Sequence, residues 1–169
     1  RYYQDYQPSC MHYHGSLNVV GALQVSCNYF FYECGRRLGI TKLNEYCKKY
    51  GLGVKTGIEL NEATGILAGR AYRESINTYW SDGDTLQAAI GQSDNAFTPL
   101  QLATYISTLS NGGTRYKAHM IGEIRNYDLS QVVEKTQVEV LDTTGISQDV
   151  YDVVKKGMLS VTTEGSVSS

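Results

Sequence analysis

The pattern of apolar and polar positions is most regular between His14 and Gly39, where apolar residues recur every three or four positions. This spacing predicts helical structure with one buried face. Ser26 and Asn28 interrupt the pattern, and on a continuous helix two residues at this spacing would point to nearly opposite faces. Because Ser and Asn are favoured N-caps, we predict that one helix ends near Val25 and a second begins at once. The polar corner between them is the candidate site. The apolar positions are Val19, Val20, Leu23, Cys27, Phe30, Phe31, Cys34 and Leu38.

The pattern beyond this helix pair is less uniform. Gly39 is expected to stop the second helix, and a short helix capped by Thr41 is expected to end at Gly51. From Gly51 to Gly83 the periodicity weakens and glycines are frequent. We expect a long irregular segment with short strands there, of the kind that forms the rim of a binding site.

Thr98-Pro99-Leu100-Gln101 is the signature of a helix start, with Thr as N-cap, Pro at the first helical position and Gln completing a capping box. This helix is expected to end at Asn111-Gly112-Gly113. The residues expected to face the core are Leu102, Ala103, Ile106 and Leu109.

The C-terminal third predicts a hairpin and one more helix. Ala118 to Tyr127 and Val132 to Leu141, joined by Asp128 to Gln131, are expected to pair as a β-hairpin. A last helix with Ser147 as cap is expected to end near Gly165. Its apolar face is formed by Val150, Val153, Val154, Met158 and Val161.

Composition narrows the class of protein. The 169 residues are 41% hydrophobic and 19% charged, as in an ordinary soluble globular domain with a real core. The formal net charge of −2 gives no reason to expect a nucleic acid or an anionic membrane surface as partner. No apolar run could span a bilayer, and the start at Arg1 without an initiator Met suggests a fragment. We predict one mostly helical α+β domain over residues 1–169.

The four cysteines form no C-x-x-C pair. Cys27, Cys34 and Cys47 lie at apolar positions, where a free cysteine acts as a small buried hydrophobe, and the three possible disulfide pairings stay open. Cys10-Met-His12-Tyr-His14 is similar to a metal cluster, but metal sites need three or four converging ligands and the next His is His119. We therefore expect no metal site. A Cys27 or Cys34 nucleophile paired with His12 or His14 remains an alternative, although nothing in the sequence holds such a His beside a thiol.

Short catalytic motifs are ambiguous by themselves. S-x-N recurs along the chain, for example at Ser26-Cys-Asn28, Ser75-Ile-Asn77 and Ser93-Asp-Asn95, and K-T-G occurs at Lys55-Thr56-Gly57. The triplets at 93–95 and 55–57 are in the wrong order for a class A β-lactamase, and S-x-x-K is absent. No P-loop, dinucleotide fingerprint or H-E-x-x-H motif is present.

A longer pattern of residues, spread along most of the chain, is specific for one protein family. It begins with His14-Gly15, Asn18-Val-Val, Ser26-Cys-Asn28-Tyr-Phe-Phe-Tyr32 and Leu38-Gly39, and it continues with Tyr50-Gly-Leu-Gly53, Thr56-Gly-Ile-Glu-Leu60, Ala89-Ile-Gly-Gln92, Thr98-Pro-Leu-Gln-Leu-Ala103, Asn111-Gly-Gly113, Gly157-Met158 and Glu164-Gly165. In this order the pattern closely resembles the class B penicillin-binding protein transpeptidase domain, nearest to the elongation-type penicillin-binding protein 2. The resemblance covers nearly the whole chain.

The resemblance implies the penicillin-binding/transpeptidase fold, which serine β-lactamases share, and a peptidoglycan D,D-transpeptidase. In this family the Ser of S-x-x-K attacks the D-Ala-D-Ala end of a stem peptide, and β-lactams acylate the same Ser. Ser26 and Asn28 would be the S-x-N residues that form one wall of the cleft, with Cys27 packed between them. No cofactor is implied. The implied partners are stem peptides, β-lactams and the cell-wall elongation machinery, at the extracytoplasmic face of a bacterial membrane to which the parent protein is anchored.

The chain also departs from the family pattern. Lys55-Thr56-Gly57 aligns with the segment G-L-G-x-x-T-G-I and not with the K-T-G strand, and Ser93-Asp-Asn95 is a chance match. The S-x-x-K segment would precede Arg1 and the K-T-G strand would follow Ser169, so we expect the chain alone to be catalytically inert. The alternative is a non-catalytic, soluble protein-interaction module that binds through the Gly51–Gly83 segment and its tyrosines.

Overall fold

The structure is a computed structural model that describes residue 6 and residues 8–165. The described chain forms an α+β fold in which helices predominate. The helices are α1 (Val19–Gln24), α2 (Asn28–Lys49), α3 (Arg70–Ser75), α4 (Asp82–Ala89), α5 (Pro99–Ser110) and α6 (Gln148–Thr163). The strands are β1 (Thr114–Tyr116), β2 (Glu123–Arg125), β3 (Val132–Lys135) and β4 (Val140–Thr143). None of the described helices is both long and apolar enough to cross a membrane.

The predicted break in the first helical stretch is confirmed. Helix α1 ends at Gln24 and α2 begins at Asn28. A second interruption lies at Gly39, whose φ of 75° and ψ of 157° are not helical, as its sequence position predicts. The helix resumes at once and continues to Lys49. The N-terminal helical region therefore consists of three helical pieces separated by two breaks.

Glycines bring the helices that flank the first break into close contact with their neighbours. Helix α6 packs on α1, where a Cβ at Gly157 would lie 2.5 Å from Cδ1 of Leu23. Helix α4 packs on α2, where a Cβ at Gly35 would lie 2.3 Å from Cβ of Ala89. Real Cβ atoms do not approach this closely, so the contact at Gly35 depends on glycine, and a Cβ at Gly157 would require the Leu23 side chain to move. The two helix pairs thus hold the two sides of the break.

The compact part of the core lies where α2 and α4 meet the loop before α3. Its buried residues are Ile40, Ala68, Trp80 and Ala88, and Leu43 packs against them. The indole N–H of Trp80 donates to Oγ1 of Thr85 at 3.2 Å, which satisfies the one polar atom of the ring.

The irregular segment after Gly51 differs from its prediction. It contains α3 and the start of α4, and its described residues form an isolated bridge from Ile66 to Ala96 in place of the expected short strands. The backbone of this segment forms hydrogen bonds with side chains, where a strand would form them with a neighbouring strand. The amide of the fully buried Gln101 donates to the carbonyl oxygens of Val54 at 2.7 Å and Thr64 at 2.8 Å.

Helix α5 has the predicted ends but not the predicted inward face. The Thr98 capping box is present, and Asn111 is the C-cap. Of the four residues expected in the core, Leu109 is buried, whereas Leu102, Ala103 and Ile106 are exposed. The buried face also contains Gln101, which donates to backbone carbonyl oxygens of the neighbouring loop, and Thr108, whose hydroxyl donates to the carbonyl oxygen of Thr104 in the same helix. Apolar periodicity alone could not predict a polar inward face.

Helix α6 shows the same kind of difference. Its N-cap is Ser147 and it ends at Thr163, as expected. Its buried residues are Tyr151 and Gly157, because the close contact with α1 is made through the glycine. Of the predicted apolar face, Val154 and Val161 are partly buried, and Val150, Val153 and Met158 are exposed.

The predicted hairpin is confirmed at its centre, where β2 pairs antiparallel with β3. The strands are shorter than predicted. Val140 and Leu141, placed in the hairpin by their sequence pattern, belong to β4, which pairs antiparallel with β1. Strand β1 follows the end of α5 directly and was missed because three residues carry too little periodicity to detect.

Candidate functional site

The corner between α1 and α2 is a Schellman motif, a common helix ending in which a residue with positive φ closes the last turn. The N–H of Cys27 donates to the carbonyl oxygen of Ala22 at 2.9 Å, and the N–H of Ser26 donates to Leu23 at 3.1 Å. Ser26 occupies the left-handed position of the motif with a φ of 51°. Local backbone bonds therefore fix the corner.

Ser26 is an unusual residue for this position, which glycine normally occupies. A left-handed conformation costs a residue with a Cβ about 1–2 kcal/mol. Neither of the two favoured cap residues is the N-cap of the second helix: Ser26 follows the end of α1, Asn28 is the first residue of α2, and the N-cap is Cys27. Ser26 is exposed and Cys27 is buried, as expected of the packed middle residue. Ser93 is a second exposed serine with a positive φ, of 65°, so the conformation of Ser26 does not by itself distinguish the two.

Asn28 is the first residue of α2 and is partly buried. Within the part of the chain that the structure describes, neither its carboxamide nor the hydroxyl of Ser26 has a hydrogen-bond partner. That the two side chains share one direction stays a prediction, which the confirmed helix break permits.

The other short motifs have structural roles. The Asn95 side chain accepts from the N–H of Ala68 at 3.0 Å and donates to the carbonyl oxygen of Gln92 at 3.1 Å. Its neighbour Asp94 accepts a hydrogen bond from Arg73. These contacts occupy the side chains of Asp94 and Asn95.

The K-T-G triplet at 55–57 lies in a loop and not on a strand. The Glu62 carboxylate accepts from the N–H of Thr56 at 2.9 Å, from its hydroxyl at 2.8 Å and from the N–H of Gly57 at 2.9 Å. Burial raises the pKa of Glu62, but these hydrogen bonds outweigh it and hold the pKa below its usual value. The loop that contains this triplet is thus held by the carboxylate of Glu62 in the same chain.

A cavity of about 360 Å³ adjoins the corner at Cys27. It is lined by Gly15, Leu17, Cys27, Tyr29, Phe30, Glu33, Cys34 and Arg37. Neither Ser26 nor Asn28 belongs to this lining. Cys34, expected to be buried, is exposed, because α2 packs on α4 through the adjacent Gly35.

Glu33 at the edge of this cavity is held by two arginines. Its carboxylate accepts from Nε of Arg36 at 2.8 Å and from Nε of Arg37 at 2.6 Å. The hydrogen bonds from Arg36 and then Arg37 lower the pKa of Glu33 to about 2. Glu33 therefore keeps its charge under all but strongly acidic conditions.

A second polar cluster lies beside the corner, where the segment before α1 passes the start of α2. Sγ of Cys10 is 3.6 Å from Nδ1 of His14, and the ligand atoms of Cys10, His14 and Cys27 all lie within 4.8 Å of one another. Cys27 is buried, as its apolar position predicts, and its place beside Cys10 and His14 was not predicted. No sequence signal places Cys27 there, since the contact depends on how the preceding loop folds back.

The Cys10 thiol lies close to the first turn of α2. Burial raises its pKa, but hydrogen bonds from backbone N–H groups, those of Asn28, His12 and Tyr29, outweigh burial and lower it. Backbone N–H groups at a helix start stabilise a negative sulfur. His14 thus lies beside a thiol, a pairing that the sequence could not predict. All four cysteines are free in this structure.

Comparison with known proteins identifies the family of this chain. Residues 1–168 match the penicillin binding protein transpeptidase domain. Penicillin-binding protein 2A of Bacillus subtilis (strain 168) is 32% identical over 175 residues, which cover 91% of this chain and 23% of that protein. Peptidoglycan D,D-transpeptidase MrdA of Escherichia coli (strain K12) is 34% identical over 150 residues, which cover 88% of this chain and 23% of that protein. The chain therefore spans about a quarter of the length of these curated relatives.

Solved structures of other proteins share the fold of this chain. Penicillin-binding protein 2B from Streptococcus pneumoniae (strain R6) matches with a TM-score of 0.75 and 25% identity, over 89% of this chain and 26% of that one. Helicobacter pylori penicillin-binding protein 2, solved in complex with MreC, matches with a TM-score of 0.72 and 27% identity, over 89% of this chain and 26% of that one. The resemblance inferred from sequence is confirmed, and the chain belongs to the penicillin-binding protein transpeptidase domains, of the class B, penicillin-binding protein 2-like type.

Proposed function

We propose that this chain supplies the S-x-N wall of a peptidoglycan D,D-transpeptidase, an enzyme that cross-links stem peptides through an acyl-serine intermediate. The observation that carries the proposal is the corner at Ser26 and Asn28. A strained, exposed hydroxyl lies two residues before a carboxamide at a helix start. Membership of the transpeptidase family gives this geometry its chemical meaning.

The roles of the two residues follow from the chemistry of acyl transfer. Attack on the D-Ala-D-Ala carbonyl needs a nucleophilic serine whose proton is removed, and departure of D-Ala needs a proton delivered to its amine. Ser26 relays that proton. Asn28 donates its amide to the substrate and accepts from the catalytic lysine, which orients both groups.

The nucleophile and its lysine come from outside this chain in the proposal, because S-x-x-K does not occur in its 169 residues. The K-T-G strand that forms the opposite wall is likewise contributed by a longer parent, because the only K-T-G of this chain binds Glu62. Without nucleophile and lysine no acyl-enzyme can form. The chain alone is therefore inert.

The parent protein would act on peptidoglycan, at the extracytoplasmic face of the membrane, with β-lactams as acylating inhibitors. Support comes from the relatives: a Helicobacter pylori homologue was solved with MreC, and another neighbour belongs to a peptidoglycan synthase complex. We extend this to a partnership of the parent with the cell-wall elongation machinery.

A fluorescent penicillin tests the proposal in two proteins. One is the 169-residue chain, and the other is a longer version that includes the S-x-x-K and K-T-G segments. We expect covalent label on the longer protein and none on the chain alone. Labelling of the chain at a defined serine would contradict the missing nucleophile, and a folded longer protein that takes no label would favour the interaction module instead.

A further inference from the structure

We infer that Gly165 is a positioning residue for the reaction, because it fixes the end of α1 from which Ser26 follows. Gly165 comes directly after Glu164, the C-cap of α6, and Gln24 is the last residue of α1. Contacts between these residues join the two helix ends, two positions before Ser26. This inference rests on the proposed function, in which the hydroxyl of Ser26 relays a proton.

Backbone atoms crowd around Gly165. A Cβ there would lie 2.5 Å from the carbonyl oxygen of Gln24, 2.7 Å from Cα of Val161 and 2.7 Å from the carbonyl oxygen of Val161. The φ of Gly165 lies outside the left-handed region, so space and not backbone conformation requires glycine. Backbone atoms cannot rotate away as the end of a side chain can. A side chain at residue 165 would therefore separate the ends of α1 and α6.

The side chain of Gln24 makes a second connection between the same two helix ends. Its Nε2 donates to the carbonyl oxygen of Glu164 at 3.3 Å. The last carbonyl groups of a helix have no partner within the helix, so a side-chain donor from a neighbouring helix satisfies this one. The hydrogen bond and the close backbone contact thus hold α1 and α6 together at one point.

The contact reaches Ser26 through a single peptide unit. The carbonyl oxygen of Gln24 and the N–H of Val25 belong to one planar peptide, so they move together. That N–H donates to the carbonyl oxygen of Gly21 at 3.1 Å, in the turn that the Schellman bonds of Ser26 and Cys27 close. A shift of the Gln24 carbonyl would therefore tilt the last turn of α1 and displace the hydroxyl of Ser26.

Displacement of Ser26 should affect the chemical step more than the binding step. Proton transfer requires donor and acceptor within hydrogen-bond distance, and a misplacement of about 1 Å can lower a rate about 100-fold. The initial, non-covalent binding of a β-lactam depends on contacts over the whole cleft, of which this hydroxyl is one. Loss of positioning thus predicts slower acylation with little change in the affinity of the initial complex.

The test uses the longer protein that carries the S-x-x-K and K-T-G segments. Rapid mixing with a fluorescent penicillin separates the acylation rate constant from the dissociation constant of the initial complex. The variants are Gly165→Ala and Gln24→Met, which removes the amide donor and keeps the length of the side chain. Gly122→Ala, which meets nothing within 4 Å, is the control for a tolerated methyl group. Gly69→Ala, whose methyl group would lie 2.7 Å from Nδ2 of Asn44, is the control for crowding away from the corner.

We expect Gly165→Ala to lower the acylation rate constant about 10- to 100-fold and to leave the dissociation constant within about twofold. Gln24→Met should lower the rate constant about 2- to 10-fold, the range that one hydrogen bond represents. In a Ser26→Ala background, Gly165→Ala should have almost no further effect, because both changes act on the same proton relay. Gly122→Ala and Gly69→Ala should be acylated as fast as the unaltered protein.

Three results would overturn the inference. These are an acylation rate in folded Gly165→Ala equal to that of Gly122→Ala, an equal loss of rate in Gly69→Ala, or a full further loss when Gly165→Ala is added to Ser26→Ala. If Gly165→Ala does not fold, Gln24→Met decides, because an unchanged rate in that folded variant contradicts the positioning role. An unchanged rate in Ser26→Ala alone would contradict the proposed relay and this inference with it. A slow Ser26→Ala beside a fast Gly165→Ala contradicts the positioning role alone.

Discussion

The N–H of Cys27 donates to the carbonyl oxygen of Ala22 at 2.9 Å, and this bond requires the residue between the two helices to adopt a left-handed conformation. That residue is Ser26, with a φ of 51°. Glycine would adopt this conformation without the strain that a Cβ introduces, so serine at this position has a conformational cost.

Ser26→Gly should stabilise the chain by about 1 kcal/mol, because glycine adopts a positive φ without the Cβ strain that serine carries. Urea unfolding measures the change. Ser93→Gly is the matched control, since Ser93 is also exposed, has a φ of 65° and begins another S-x-N triplet. Destabilisation by Ser26→Gly but not by Ser93→Gly would show that the Ser26 side chain supports the fold, contrary to our account.

Gly35→Ala should destabilise the chain by about 1–3 kcal/mol, the usual cost of overpacking. The added methyl group would lie 2.3 Å from Cβ of Ala89, so α2 and α4 would have to separate. Ala89→Gly in the same chain should restore much of the loss, which a double-mutant cycle measures. Gly122→Ala, which meets nothing within 4 Å, is the control. Equal effects of Gly35→Ala and Gly122→Ala would contradict the close helix contact.

Glu62→Ala should lower the free energy of unfolding by about 2–4 kcal/mol, since charge-assisted hydrogen bonds to the loop at 55–57 are lost and buried Thr56 keeps an unsatisfied donor. Chemical denaturation of the variant measures the loss. Glu74→Ala, an exposed residue on α3, is the control. A change within about 0.5 kcal/mol of that control would mean that the carboxylate does not hold this loop.

Glu33 should titrate at an unusually low pH. Its pKa in the folded chain is about 2, below the ordinary value of 4.5, so the folded state binds its proton less tightly than the unfolded state does. The stability that Glu33 contributes is therefore fully present above pH 4.5 and is lost as pH falls toward 2. Carbon-13 NMR of the side-chain carboxyl measures the midpoint directly.

The arginines provide the control for this titration. Because the hydrogen bond from Arg36 is the largest cause of the shift, Arg36→Gln should move the Glu33 midpoint upward, and Arg37→Gln should move it upward less. A Glu33 midpoint near 4.5 in the unaltered chain would show that the two ion pairs do not persist in solution.

Local sequence signals predicted the features that local chemistry determines. The capping box at Thr98 and Gln101 formed as expected, since its bonds join residues three apart. The break between α1 and α2 was predicted from the polar residues that it displays, although the cap was assigned to the wrong residue. Left-handed serine is rare, so no propensity argument would have placed Ser26 in that conformation.

Contacts between distant segments were not predictable in the same way. The inward face of α5 contains Gln101, whose partners Val54 and Thr64 lie in an irregular loop far along the chain. The approach of Cys10 and Cys27 likewise depends on the path of the chain before α1. Apolar periodicity predicts which face of a helix is apolar, but it cannot predict hydrogen bonds to polar groups that are distant in the sequence.

The central claim is that Ser26 serves chemistry and not folding, and the rate of acylation by a fluorescent penicillin tests it most directly. In the longer protein that carries the S-x-x-K and K-T-G segments, Ser26→Ala should slow acylation at least about 100-fold, as expected for loss of a proton-transfer group. The thermal midpoint should stay within a few degrees of that of the unaltered protein, and Ser93→Ala should leave the rate unchanged. An acylation rate in folded Ser26→Ala equal to that of Ser93→Ala would contradict the account.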